Sequence, residues 1–131
     1  MTTNAMNKLR KSVNPAAHIF DFNQAQNKLV ISFSGFYDAD GIDDFFKTYA
    51  RETKSINKPN TTVVLDAVKL STFAPDVLEG LIKAFHEYTN YKKIFLVKST
   101  NGVANNQFMR LLRAGNILEK FHFVDSLVET R

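Results

Sequence analysis

Four carboxylates, Asp38, Asp40, Asp43 and Asp44, crowd one short stretch of the chain. Like-charged carboxylates so close together can share a proton or hold a cation. They also stand where an apolar-periodic segment begins. There a short acidic side chain satisfies free N–H groups and complements the positive end of a helix. Capping is the expected role, and the spacing lacks the later glutamate of a calcium loop. His18, His86 and His122 are far apart, and none has a second ligand at zinc-site spacing. Ser32 and Ser34 fall in a β-rich run with no G-x-S-x-G elbow to present a nucleophile. The absence of cysteine excludes disulfides, thiolate metal sites and cysteine nucleophiles. Gly35, Gly41, Gly80, Gly102 and Gly115 form neither a P-loop nor a dinucleotide fingerprint. No acid, base and nucleophile converge, so the expectation is a non-enzyme with no catalytic residue, cofactor or metal. Two groups remain as binding candidates. Gln107, Arg110 and Arg113 form a polar stripe opposite Phe108, Leu111 and Leu112, either a solvated face or a dock for an acidic partner. Tyr37, Tyr88 and Tyr91 are expected to be exposed, as interface anchors.

The elements that would carry these residues follow from periodicity. Alternation over Ala17–Phe22 and the β-rich run Lys28–Ser34, split by the polar stretch Asn23–Asn27, predict a hairpin that ends at Gly35. Ile42, Phe45, Phe46, Tyr49, Ala50 and Ile56 give the stripe of a first helix, ended by Asn57–Asn60. Thr61–Leu65 reads as a central strand buried on both faces and closed by Asp66, with Ala67–Ala74 a connection. Pro75 and Asp76 open a second helix with Val77, Leu78, Leu81, Ile82, Phe85 and Tyr88 inward. Ile94–Val97 is a further strand. A third helix follows, with Val103, Phe108, Leu111 and Leu112 inward and Gly115 at its end. Phe121–Val124 is the last strand, with a turn of helix after it. The order β-β-α-β-α-β-α-β predicts an α/β fold: one mixed, mostly parallel sheet, an N-terminal hairpin, and three to four helices.

At 131 residues the chain suits one domain, assigned to 16–131. The net charge is +4, but Lys8, Arg10 and Lys11 lie before Pro15 with no acidic residue among them. Without these three the remainder is +1. Residues 1–15 are expected to be a flexible basic arm, and any nucleic-acid contact would run through it. No apolar run is long enough to span a bilayer and no secretory signal precedes the body. The expected location is therefore cytoplasmic, with no membrane partner.

Val64-Leu65-Asp66, followed at a fixed offset by Ala74-Pro75-Asp76-Val77-Leu78, resembles the STAS (SpoIIAA-like) domain of bacterial anti-sigma-factor antagonists. In that family a strand ending in Leu-Asp leads to Asp-Ser-Ser-Gly-Leu at a helix start. The Ile94–Val97 strand, the Asn101 turn and the Arg113–Leu118 ending are also similar, and the element order extends the likeness over roughly Ala17–Val128. The resemblance implies a STAS-like domain that binds a protein partner through the second helix and the segment before it. Ser71, Thr72, Asp76 and Glu79 would form that surface, with Arg110 and Arg113 added from the third helix. The family's phosphorylated serine is replaced here by Asp76, which cannot take that modification. Its charge either imitates a phosphate or caps the helix, and capping is favoured.

Three functions are compatible with these residues. The first is a non-catalytic, regulatory interaction module whose partner is another protein or a second copy of itself. The second is a structural or assembly subunit of a large complex such as a phage particle. The third is a carrier of a small apolar ligand between sheet and helices.

Overall fold

Strand β1 (Ala17–Asn23) folds back on β2 (Lys28–Tyr37) as the expected antiparallel hairpin. The turn is closed by Asn27 N–H to the Gln24 carbonyl and by Gln26 N–H to the Asn23 side chain. Asn27 takes the left-handed backbone (φ 49°) that asparagine tolerates. The computed structural model describes residues 15–131. Apart from Pro15, which bridges to Phe36, the arm expected over 1–15 lies outside them.

Gly35 does not end β2 as expected. It sits at φ 81° between two register shifts against the next strand, so β2 bulges there and continues to Tyr37. Its parallel partner β3 runs from Thr62 to Phe73, so Asp66 does not close this strand and Ala67–Ala74 is not a loose connection. The Asp66 carboxylate accepts from Val68 N–H, and pairing resumes with Lys69 and Leu70 against Ser34 and Gly35. Ala67, Leu70 and Phe73 keep the extension buried.

Helix α1 (Ala39–Glu52) is capped by Asp38, whose side chain accepts from Gly41 N–H at 3.0 Å. It stops before Ile56: Thr53 makes the last bond to the Tyr49 carbonyl, and Ile56 N–H then turns back onto the Thr53 carbonyl instead of residue 52. Pro75–Val77 forms a 3₁₀ turn, and helix α2 starts only at Leu78, running to Tyr88. Strand β4 (Lys93–Val97) precedes α3 (Gly102–Ala114), which is capped by Asn101. Beyond α3 the left-handed residue is Asn116 (φ 57°) rather than Gly115. Gly115 is needed for proximity: a Cβ there would lie 3.2 Å from Ile82 Cγ2 and 3.3 Å from His86 Nε2. Strand β5 (Phe121–Val124) and a 3₁₀ turn (Leu127–Thr130) follow.

Strand order in the sheet equals chain order, β1-β2-β3-β4-β5, with β2 to β5 parallel. Right-handed crossovers that always step the same way put every helix on the same face. The side chains divide accordingly. Leu29, Ile31, Val63, Leu65, Ile94, Leu96 and Phe121 join the helices in the main core. Alternate residues Val64, Phe95 and Val97 form a second cluster with Val30, Val68 and Val124, all of them sheet residues. Tyr37 and Tyr91, expected at the surface, are 0% and 5% exposed, and Tyr88, read both as an inward residue of the second helix and as a surface candidate, is 3% exposed. They lie among tilted and edge-on aromatic rings of the main core. Val103, expected inside, is instead exposed at the open first turn of α3.

Candidate functional site

Beyond Asp66, β3 has no strand on its β4 side, because β4 ends at Val97 opposite Asp66. Its carbonyls and N–H groups must find other partners or go unsatisfied. The Ser99 hydroxyl donates to the Leu70 carbonyl at 2.7 Å, and Thr100 N–H donates to the Val68 carbonyl. Gln107 on α3 makes the decisive contact. Its Oε1 accepts from Phe73 N–H and its Nε2 donates to the Phe73 carbonyl, both at 3.0 Å, as a neighbouring strand would. Asn105 holds Ser99 in place through both its backbone groups. Across the other edge, Ala74 N–H donates to the Tyr37 carbonyl at 2.8 Å.

The braced strand end delivers Ser71 and Thr72, both half-buried, to the turn that carries Asp76, and Glu79 follows in the first turn of α2. Asp76 and Glu79 are exposed. Asp76 makes no capping hydrogen bond: neither the 3₁₀ turn nor α2 has a side-chain cap. The favoured capping role is thus replaced by a solvent-facing charge. Buried Val77 and Leu81 fix this turn against the core.

Arg110 and Arg113 are exposed on α3, and no hydrogen bond or ion pair among the described residues joins them to this patch. Gly115 abuts Ile82 and His86, so the end of α3 lies beside the far half of α2, away from Asp76 and Glu79. Gln107 belongs to the brace, not to a docking stripe. The sequence reading missed Ser99, Asn105 and Gln107 as supports. The signal was there in a polar run, Ser99 to Asn101, directly after a buried strand.

Asp43 pairs with Lys47 and Asp44 with His18, so of the four acidic residues Asp38 is a cap, Asp40 stands in the first turn of α1 and the other two are paired. No group of three metal-ligating side chains occurs among the described residues. The Tyr49 hydroxyl contacts Glu87 and the Tyr91 hydroxyl, each at 2.8 Å, and Lys58 pairs with Glu87. Burial pushes the Glu87 carboxyl up, but hydrogen bonds from Tyr49, Lys58 and Asn90 outweigh it and leave the group below its ordinary value. Burial, aided by the Glu87 charge, raises Tyr91 to about 12. Between sheet and helices, Phe33, Tyr37, Ile42, Phe45, Phe73 and Tyr88 help to line an apolar cavity with about 20 Å³ in which a water-sized molecule could be centred. That is roughly the space of one water, against some 300 Å³ or more for a small-molecule site. No helix among the described residues is long and apolar enough to cross a membrane.

No family model matches the sequence, and no curated protein is similar to it. Among solved structures, the chain is similar to an uncharacterized protein of the DUF3478 family from Shewanella loihica PV-4, which has a SpoIIAA-like fold. The two align with a TM-score of 0.63 over 88% of this chain and 90% of that one, at 10% identity. The fold is SpoIIAA-like. The STAS-type architecture expected from Val64-Leu65-Asp66 and the element order is therefore present. The likeness is one of fold, and in this SpoIIAA-like sheet the segment resembling the family's switch is the braced end of β3 and the turn after it.

Proposed function

We propose that the chain is a non-catalytic protein–protein interaction module of STAS-like type, with the β3–α2 junction as its partner surface. The observation that carries this reading is the brace on Phe73. A strand extended beyond its neighbour, with Val68, Leu70 and Phe73 held by Thr100, Ser99 and Gln107 and with Ala74 held by Tyr37, presents an exposed turn rigidly. Rigid presentation lowers the ordering cost of association. Asp76 and Glu79 give the surface a fixed negative charge, so the complementary partner carries basic residues here. Because Asp76 replaces the modifiable serine, the surface is constitutive and not switched by phosphorylation at this position.

The test is capture from the native source with the tagged full-length chain, compared with Asp76→Lys/Glu79→Lys. A partner that co-purifies in fixed ratio with the unaltered chain is expected to be lost from the variant, with the melting temperature unchanged within about 2 °C, since exposed substitutions cost little. Undiminished capture by the variant would refute the surface assignment.

A further inference from the structure

Strand β1 is one rim of the sheet, and among the described residues no strand pairs with its outer edge. The N–H and carbonyl groups along such an edge invite another strand, and proteins blunt them with short strands, lysine, proline or bulges. The opposite rim follows that pattern, since β5 has four residues. Strand β1 does not. Its seven residues, Ala17–Asn23, include no lysine, proline or glycine and pair with β2 without a register break. Ile19 and Phe22 on it are 69% and 40% exposed. We propose that this edge is where a second copy of the chain adds its own β1, antiparallel, so that one sheet runs through both copies. Strand β2 separates this edge from β3, so the inference does not rest on the β3–α2 junction.

Three observations select a second copy as the occupant. The first is register. A two-fold axis at Phe20 pairs every residue of one β1 with a residue of the other. Ile19 then faces Asp21 of the second copy, so the strand's one carboxylate meets an aliphatic side chain and not its own counterpart. His18 and Phe20 point to the helix side, against Phe45, and Phe22 follows by alternation. Across the axis these rings continue as one row. The second is the helix above. The Phe45 ring of α1 lies 5.8 Å from Phe20 on β1 and 5.2 Å from Phe33 on β2, so α1 straddles the two strands. With strands about 4.8 Å apart, the axis sets the two α1 helices antiparallel and roughly 10 Å from each other, an ordinary packing distance. The third is charge. Phe20 lies 5.8 Å from Phe45 and 6.3 Å from Tyr49, which fixes the level of the axis on α1. Asp44 and Arg51 stand two turns apart on one line of the helix, on either side of that level. Asp44 accepts from His18, Arg51 lies 3.7 Å from Glu52, and both are exposed. The axis therefore brings Asp44 of each copy towards Arg51 of the other, and every such contact occurs twice.

Sedimentation of the full-length chain is expected to show a concentration-dependent dimer. Ile19→Asp sets a new carboxylate against Asp21 of the other copy, twice per dimer, and is expected to weaken association roughly tenfold or more. Adding Asp21→Lys turns both repulsions into attractions and is expected to restore the dimer. Both positions are exposed, so the far-ultraviolet dichroism of these variants is expected to match that of the unaltered chain. The lack of native cysteine allows a direct check of the pairing. A mixture of Ile19→Cys and Asp21→Cys chains is expected to crosslink mainly to each other, and each chain alone much less. A chain that stays monomeric at about 1 mM overturns the proposal. So does a dimer that Ile19→Asp leaves intact, which places the interface elsewhere. A double variant no tighter than Ile19→Asp, or mixed and like crosslinks formed at equal rates, overturns the pairing about Phe20.

Discussion

Gln107 gives Phe73 both of the backbone hydrogen bonds that a missing strand would have supplied. Gln107→Leu leaves a buried N–H and a buried carbonyl unpaired, at about 1–3 kcal/mol each. A loss of roughly 2–4 kcal/mol in urea unfolding is expected, together with loss of partner capture at Asp76. Gln107→Glu keeps the acceptor for Phe73 N–H but sets a carboxylate against the carbonyl. This variant is expected to recover stability as pH falls, because the protonated acid regains a donor. Glu87 behaves in the opposite sense. Its folded-state pKa lies below the ordinary value, so its contribution is complete above that value and is lost as pH falls through the folded one. Glu87→Gln is therefore expected to flatten the acid limb of the stability profile below about pH 4.5, and unchanged acid sensitivity would place the effect elsewhere. The sequence disclosed Asp38 as a cap because the capping pattern is local. It gave no sign that Tyr37 and Tyr91 were buried, because a tyrosine reads the same whether its hydroxyl meets water or, as Tyr37 does, the Ala17 carbonyl.

Elements were legible where one periodicity held from end to end. Helix α2 and strand β4 fall where their apolar residues put them, within a turn. The errors fell at ends decided by tertiary partners. Asp66 looks like a stop, yet its carboxylate bonds to Val68 N–H and the strand goes on, carried by bonds from Ser99, Thr100 and Gln107, all distant in sequence. Helix α1 ends a turn early, where Ile56 N–H bonds to the Thr53 carbonyl in a tight turn that the apolar spacing does not show. The α2–α3 contact turns on Gly115. Gly115→Ala is expected to cost about 1–2 kcal/mol, because Ile82 and the His86 ring must both give way. In an Ile82→Leu background, which removes the Cγ2 methyl, the same change is expected to cost less. A double-mutant cycle by denaturant unfolding measures the difference. Equal costs in both backgrounds would show that the close approach at Ile82 is not the constraint.

At the scale of the molecule, the alternation of strands and helices was enough to predict a mainly parallel sheet, and the STAS-like motif placed the junction that the SpoIIAA-like fold now presents. The one-sided arrangement could not be read. A strand such as Val63-Val64-Leu65 is apolar at consecutive positions, which fits helices on both faces equally well. Only the strand order reveals that alternate residues meet different neighbours. Of the residues expected to form a partner surface, Ser71, Thr72, Asp76 and Glu79 come together because they are neighbours in sequence, whereas Arg110 and Arg113 belong to a different end of the helical layer.

Strand order that repeats chain order also has a kinetic side. Each parallel strand pairs with the one made just before it, so loop closure at every step spans a single helix and its turns. During synthesis, the hairpin of β1 and β2 can offer its free edge to β3 before β4 has been translated, and so on to β5. The growing sheet always has one open edge, which is covered in turn by the next strand to emerge. The long-range tie is the Lys28 ammonium on Thr130, which joins the start of β2 to the last turn of the chain. It can form only after β5 and the turn behind it have been made, so it acts as a latch on a sheet already assembled strand by strand.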